Sequence, residues 1–438
     1  MSEYNRQGSV FAAALHHIAQ TDTDHWSYKR MGKRPGLHGL IRYPAMMVPQ
    51  MQADVLGAAL AVRPDIRRVV DPFVGSGTTM LEVLKRGLSF EGVDINPLAI
   101  LICRAKLLSI NSRTLTQRVH KLLAQISADR GESVDVDFVG RDKWFTPTAC
   151  IQLSRVRRHI VGQRGLAFRQ FLWVILAESI RQTSLSRETT YKLHIRPPSD
   201  RDNLEGPQPC FHRLALEAIE RYAHQWEQKF VSRDEGIQNV HLQCGDIRST
   251  LASGESSQLL LTSPPYGDNE TTIPYGQFSY LALRWISERD LEGEPRLRNS
   301  AYAIDTASLG GSSRGYIDRA LAMAAVSSSF KSFFDRLARQ RRPDLEAKAA
   351  CFTADLFEAI GAALDRLEKD GIAIWILGER RIGGLPVPLV QICTELNEFF
   401  GMERVTSVSR QICSKRMPHR NSQGATMVRE TMLVMCKS

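Results

Sequence analysis

The chain has 438 residues, 43% of them hydrophobic and 24% charged, ordinary values for a globular protein with room for one expanded domain or two. No run reaches the roughly 18 apolar residues that span a bilayer. The N-terminus also lacks the apolar core of a signal peptide, so a cytoplasmic protein without a membrane partner is expected. Lys and Arg outnumber Asp and Glu by 57 to 47, a net charge of +10, which favours an anionic partner such as nucleic acid. The eight cysteines are scattered without a Cys-x-x-Cys pair, so no metal or redox site is expected.

In chain order, a helix is expected over residues 8–20, followed by a basic, loop-like stretch at 29–36. Residues 67–70 read as a short buried strand entering a glycine turn. Residues 80–86 read as a helix ended by Gly87, and 90–94 as a second strand. Strand, turn, helix and strand make one βαβ unit and imply a parallel sheet. Residues 258–261 form a further buried strand that runs into a Pro-Pro loop. Leu356, Ile360, Leu364 and Leu367 place apolar residues at helical spacing over 353–367. Gly371 is expected to close that helix before buried strands at 372–377 and 430–436. These α/β parts, 1–115, 236–284 and 351–438, bracket two stretches that fit the pattern less well. The stretches 116–235 and 285–350 read as largely helical or irregular insertions.

The first chemical signal is Asp71-Pro72-Phe73-Val74-Gly75-Ser76-Gly77-Thr78-Thr79. Glycines at the end of a strand let the backbone turn tightly, expose its N–H groups and admit a ligand close to the main chain. Asp94, at the tip of the next strand, can accept both hydroxyls of a ribose. A dinucleotide fingerprint would need a third glycine where Met80 stands, and a phosphate loop would need a lysine after the glycines. A purely structural turn stays open.

The second signal is Ser263-Pro264-Pro265-Tyr266. Consecutive prolines fix φ and remove two N–H donors, leaving a rigid loop of carbonyl oxygens, one hydroxyl and an aromatic ring. That set suits a flipped base, whose face the ring can stack on. An exocyclic base amine is a poor nucleophile because its lone pair is delocalised. Accepting its N–H bonds, here by Ser263 Oγ and the Pro264 carbonyl, draws the nitrogen toward tetrahedral geometry. The bland alternative is a Pro-Pro loop with a surface tyrosine.

Both segments resemble the motifs of the S-adenosyl-L-methionine-dependent DNA amino-methyltransferases, the cytosine-N4 and adenine-N6 type. The resemblance covers roughly 40–110, 238–282 and 350–436. It implies an α/β, Rossmann-like class I methyltransferase fold with a central, mostly parallel sheet. It further implies that the glycine turn (Asp71, Pro72, Phe73, Gly75, Ser76, Gly77 and Thr78) holds the methionine end of the cofactor, and that Asp94, with Ile95 beside it, holds the ribose. Tyr43-Pro44-Ala45-Met46-Met47-Val48-Pro49 is similar to the family's preceding cofactor motif. Gly245-Asp246-Ile247 is similar to its Gly-Asp segment, whose acid contacts adenine. The serine form of the catalytic motif is most typical of cytosine-N4 enzymes and the aspartate form of adenine-N6 enzymes.

The chain departs from the family pattern in spacing, since Gly75 and Ser263 lie 188 residues apart. The insertion 116–235 is the candidate target-recognition region, although it falls earlier than such a region is expected. Within it Arg187, Lys192 and Arg196 belong to a basic, Ser/Thr-rich piece that either grips phosphates or forms a solvated loop. Tyr275 or Phe278 is expected to line the base pocket. The loop 308–315 is flexible and basic. Lys415 and Arg416, with Arg410, His419 and Arg420, are candidate phosphate contacts near the catalytic face. Cys210, after Pro209, is read as an inert cysteine rather than a nucleophile. The leading expectation is a site-specific methyltransferase acting on cytosine N4 of DNA, with a cognate restriction endonuclease or defence-system protein as a candidate partner. Three alternatives stay open: adenine-N6 methylation of DNA, methylation of RNA such as guanine N2 in tRNA, and a catalytically silent nucleic-acid-binding subunit. The oligomeric state is not legible.

Overall fold

A computed structural model describes residues 10–15, 26, 28, 34–227, 239–250, 252, 254–268, 272–412 and 429–437. Its strands are β1 (Arg68–Asp71), β2 (Ser89–Asp94), β3 (Val240–Cys244), β4 (Ser257–Thr262), β5 (Leu367–Gly378), β6 (Arg380–Ile382), β7 (Leu385–Val387), β8 (Met402–Gln411) and β9 (Arg429–Lys437). Seven of them form one sheet in the order β3-β2-β1-β4-β5-β9-β8, and β6 and β7 make a separate hairpin. The first five are mutually parallel. β9 runs antiparallel between β5 and β8. With helices on both faces this is the α/β, Rossmann-like methyltransferase fold.

The central strands β1, β4 and β5 are apolar on both sides where they pair, as a parallel sheet covered on both faces requires. Val69, Leu259, Leu261 and Ile374 point into one core, while their neighbours Val70, Leu260, Ala373 and Trp375 point into the other, the period of two inherent in a strand. The first core is closed by helices Pro49–Val62 and Pro97–Lys106 and extends through Leu115, Leu153, Phe171 and Phe211. The helices of 116–235 are therefore continuous with the sheet's own core. The apolar run 171–177 lies inside helix Leu166–Thr183 and is buried all round. The second core is closed by helices Tyr316–Val326, Ser328–Ala338, Pro343–Leu364 and Leu389–Phe399.

One expected boundary is corrected. The helix read at 353–367 spans Pro343–Leu364, with Pro343 at its first turn, where a missing N–H costs nothing. It ends before Leu367 because Arg366 turns inward, donating to the Ala362 carbonyl, to Glu91 and to the Thr250 carbonyl. Leu367 already pairs with Ser257, and Gly371 sits inside β5, where the register jumps, rather than closing a helix. The expected helix over 8–20 is seen at 10–15; its remainder and residues 29–33 lie outside the described residues.

β1 is the switch point of the sheet: β2 and β3 lie on one side of it, β4 and β5 on the other. The β1–β2 connection packs helix Thr78–Leu84 on one face, while the β4–β5 connection returns to the sheet through helix Pro343–Leu364 on the other; such a change of face opens a crevice at the carboxyl ends of the strands, the usual place for a ligand in such sheets.

Candidate active site

Both sequence motifs stand at that crevice. β1 ends at Asp71, and the chain turns through Gly75 and Gly77, whose φ angles are +51° and +73°. A side chain at Gly77 would be strained by its φ and would also meet Cys103 Sγ at 2.9 Å. Asp94 closes the turn from β2. Its Oδ2 accepts from the Gly75 N–H at 2.9 Å and its Oδ1 from the Asn96 N–H at 2.8 Å. Each oxygen keeps a lone-pair site for a ligand hydroxyl. Burial pushes the Asp94 carboxyl up to about 6.

Asp71 is fully buried, and burial raises its carboxyl to about 6 as well. Its Oδ1 accepts from the Thr262 hydroxyl at 2.6 Å, a contact spanning 191 residues of chain. The ends of the two motif-bearing strands are thereby bonded to each other. One residue further, Ser263 Oγ is 3.2 Å from the Ile376 carbonyl and 2.9 Å from the Tyr266 hydroxyl. A carbonyl only accepts, so the serine hydrogen goes to Ile376, and the tyrosine hydrogen goes to Ser263 at 2.9 Å in preference to Glu430 Oε1, 3.5 Å away. One lone pair on Ser263 Oγ is left for a substrate donor.

These pieces line one open cleft. Tyr43, Pro44, Pro72, Phe73, Gly75, Ser76, Thr78, Asp94, Ile95, Asp246, Ile247, Ser263, Pro265 and Tyr275 all contribute to its wall. Gly77 lies beneath the turn. Pro264 and Tyr266 are not part of that wall, and the Tyr266 ring packs against the second core, which corrects the expectation that this ring stacks on a flipped base. Tyr43, Phe73 and Tyr275 are the aromatic residues of that wall; Tyr275 packs 5.8 Å from Tyr43, which Phe278 supports edge-on from 5.6 Å.

The cleft suits an adenosyl amino-acid cofactor. Ser76 Oγ and Thr78 Oγ1 are buried at its wall without hydrogen-bond partners among the described residues. Buried hydroxyls normally find partners, and two here stand beside exposed main chain, as a charged amino-acid end requires. Asp94 supplies acceptors for ribose. Asp246 lies at the wall with its carboxylate held by Arg248, whose Nη2 is 2.6 Å from Oδ2.

Several contributors escape motif reading. Lys106 is buried, donates to the Ser76 carbonyl at 2.5 Å and ties the glycine turn to helix Pro97–Lys106. Asn96 caps that helix through the Leu98 N–H and also donates to Tyr43 and Ser279; the Asn-Pro pair after a strand signals such a cap. Ile304, Ala307, Ser308 and Leu309 line the cleft from within 285–350, a wall that composition gives no hint of.

The expected nucleic-acid contacts are placed unevenly. Residues 184–196 fold back on themselves, with Ser186 bridged to Ile195, and dock on helix Tyr275–Trp285 through the Leu193 N–H to Gln277. Arg187 and Lys192 are exposed there. Arg196 corrects the expectation of a phosphate contact. Its guanidinium is spent on the carbonyls of Gln182, Ser184 and Ser186, where it ends helix Leu166–Thr183. Arg410 pairs with Glu430; Lys415, Arg416, His419 and Arg420 lie outside the described residues. Cys210 is buried in a helix and burial pushes its thiol up to about 11, an environment that disfavours the nucleophilic thiolate. Among the described residues no helix is long and apolar enough to cross a membrane.

No family model matches the chain. The protein named Type II methyltransferase M.MvaI, from Kocuria varians, is 27% identical over 416 residues, covering 90% of this chain and 89% of that protein. Type II methyltransferase M.MjaII, from Methanocaldococcus jannaschii, is 37% identical over 71 residues, 16% of this chain and 13% of that protein.

Proposed function

We propose that this chain, similar over nine-tenths of its length to a Type II methyltransferase, is a site-specific DNA methyltransferase that modifies an exocyclic base amine, cytosine N4 in preference to adenine N6. The observation that carries the reading is the convergence of the glycine turn, Asp94 and Ser263 on one cleft at the sheet's switch point. The Asp71–Thr262 bond holds the two strand ends together.

S-adenosyl-L-methionine supplies an activated methyl group when bound. Ser76 and Thr78 offer their hydroxyls, and the turn its main chain, to the amino-acid end; Asp94 orients the ribose. Ser263 accepts one amine N–H with its remaining lone pair, which localises the nitrogen's own pair for attack. Tyr275, facing the cleft beside Ser263, offers a ring to a base swung out of the helix. The residues thus act by alignment and exclusion of water, with no covalent step on the enzyme. Ser263 favours cytosine N4, because the adenine-N6 form of the motif usually carries aspartate there. The net charge of +10 and the exposed Arg187 and Lys192 suit a phosphate backbone, and a restriction endonuclease is the partner such a modification would protect against.

The test is transfer of labelled methyl from S-adenosyl-L-methionine to duplex DNA, single-stranded DNA and tRNA, followed by digestion to nucleosides. N4-methylcytosine from duplex DNA is expected. N6-methyladenine would transfer the reading to the other amine, label in tRNA alone would overturn it, and cofactor binding without transfer would indicate a silent subunit.

A further inference from the structure

One buried carboxylate joins two walls of the cleft. Asp355 lies on helix Pro343–Leu364, on the side of the sheet away from the glycine-turn helices, and its side chain is 5% exposed. Its Oδ1 is 2.7 Å from Arg248 Nη1 and 2.6 Å from Arg319 Nη1. Its Oδ2 accepts from the Gly310 N–H at 2.7 Å. Arg248 is the residue that grips Asp246 through Nε and Nη2, so the wall of Asp246 and Ile247 hangs on Asp355 through a single guanidinium. Gly310 follows Ser308 and Leu309, which belong to the wall from 285–350. Its φ is +72°, and a Cβ there would lie 2.9 Å from that of Phe352, so the strap is pressed directly on the helix that carries Asp355. The far end of the strap is fixed by Asp305, which accepts from the Gly276 N–H at 2.9 Å at the start of the helix beyond the catalytic loop.

We propose that Asp355 is a positioning residue for the cofactor, the anchor that holds the Asp246–Ile247 wall and the Ile304–Leu309 strap at a fixed separation, so that 285–350 serves as a cofactor-enclosing strap rather than a DNA-reading insertion. The inference rests on the reading of the cleft as an S-adenosyl-L-methionine site. A buried carboxylate shared by two guanidiniums and an amide N–H is costly to interrupt, because removing its charge leaves donors facing one another. The wall and the strap would then part, while residues 184–196 with Arg187 and Lys192, which make none of these contacts, would stay as they are.

The test is calorimetric titration of S-adenosyl-L-methionine into the parent, Asp355→Asn, Arg319→Met and, as a control on the same helix, Asp344→Asn, whose exposed carboxylate pairs with Arg342 away from this network. Non-specific duplex affinity and melting temperature are followed in parallel. Asp355→Asn is expected to weaken cofactor binding about tenfold or more and Arg319→Met about threefold, a graded loss following the number of contacts broken. The cofactor affinity of Asp344→Asn and all duplex affinities should stay within about twofold. A folded Asp355→Asn binding the cofactor within about twofold of the parent overturns the proposal, as does an equal fall in cofactor and duplex affinity. If Asp355→Asn does not fold, Arg319→Met decides alone, since it breaks one arm at a residue about a third exposed. Failure of the parent itself to bind the cofactor would instead overturn the reading of the cleft.

Discussion

Replacing Lys106 by methionine should separate cofactor binding from stability. Lys106 is 4% exposed and its ammonium donates to the Ser76 carbonyl; burial pushes the group down from 10.5 to about 8. Keeping it charged at pH 7 therefore costs on the order of 3 kcal/mol, at about 1.4 kcal/mol per pH unit. Removing the charge relieves that net cost but leaves the buried Ser76 carbonyl without its donor, which costs about 1–3 kcal/mol, so the two contributions nearly cancel. Methionine fills a similar volume without a charge, and the net change in stability should lie within about 1–2 kcal/mol of zero. The turn that carries Ser76, Gly77 and Thr78 loses its tether, and cofactor affinity should fall about tenfold, or about 1.4 kcal/mol. The folded-state value lies below the unfolded one, so the parent should gain stability as pH rises from about 8 toward 10.5, and the variant should not. Thermal melting at several pH values and calorimetric titration at pH 7 measure both quantities. A variant that unfolds several kcal/mol more easily yet binds cofactor as the parent does would refute the reasoning.

Asp94 should make cofactor affinity pH-dependent. Its carboxyl titrates near about 6, and protonation removes acceptor capacity, so affinity should fall by up to about tenfold per pH unit below that value; Asp94→Asn should bind weakly and without that dependence. Tyr266→Phe removes the hydroxyl that orients Ser263 and should lower kcat about tenfold, roughly one hydrogen bond, with the cofactor Kd unchanged; rapid-quench single-turnover assays would show it. The double variant Arg187→Ala, Lys192→Ala should reduce the salt dependence of duplex binding by up to about two phosphate contacts, each about 0.9 in the log–log slope, and an unchanged slope would remove residues 184–196 from the DNA surface.

What was legible in the sequence is what local chemistry dictates. The turn at Gly75 and Gly77 needs residues that tolerate positive φ, and the strands around it are apolar because both faces of the sheet are covered. The Asn96 cap is likewise local. The end of helix Pro343–Leu364 was not legible, because Leu367 continues the helical spacing while Arg366, drawn to Glu91 and Thr250, ends it through contacts far along the chain. Arg196 carries a charge that reads as a phosphate contact until its three carbonyl partners are seen. Lys106, Asp355 and the strap at 304–309 belong to no motif; each acts through a partner that only the fold brings near.

The Asp71–Thr262 bond also bears on how the molecule is made. β1 and β4 are neighbours in the sheet, yet 191 residues separate the bonded pair. Loop-closure entropy grows only logarithmically, about 0.6 kcal/mol for each doubling of length, so the long helical insertion between the motifs weighs little on the equilibrium. It weighs on the order of events. Emerging from the ribosome, β1, the glycine turn, β2 and helix Pro97–Lys106 can assemble from local contacts, whereas β4 must wait for the insertion to be synthesised before it docks at β1. Pairing of such high sequence separation is slow to form, and the edge of β1 that β4 will cover is open until then. The half of the cleft that recognises cofactor is thus older, in the life of each molecule, than the half that holds the serine.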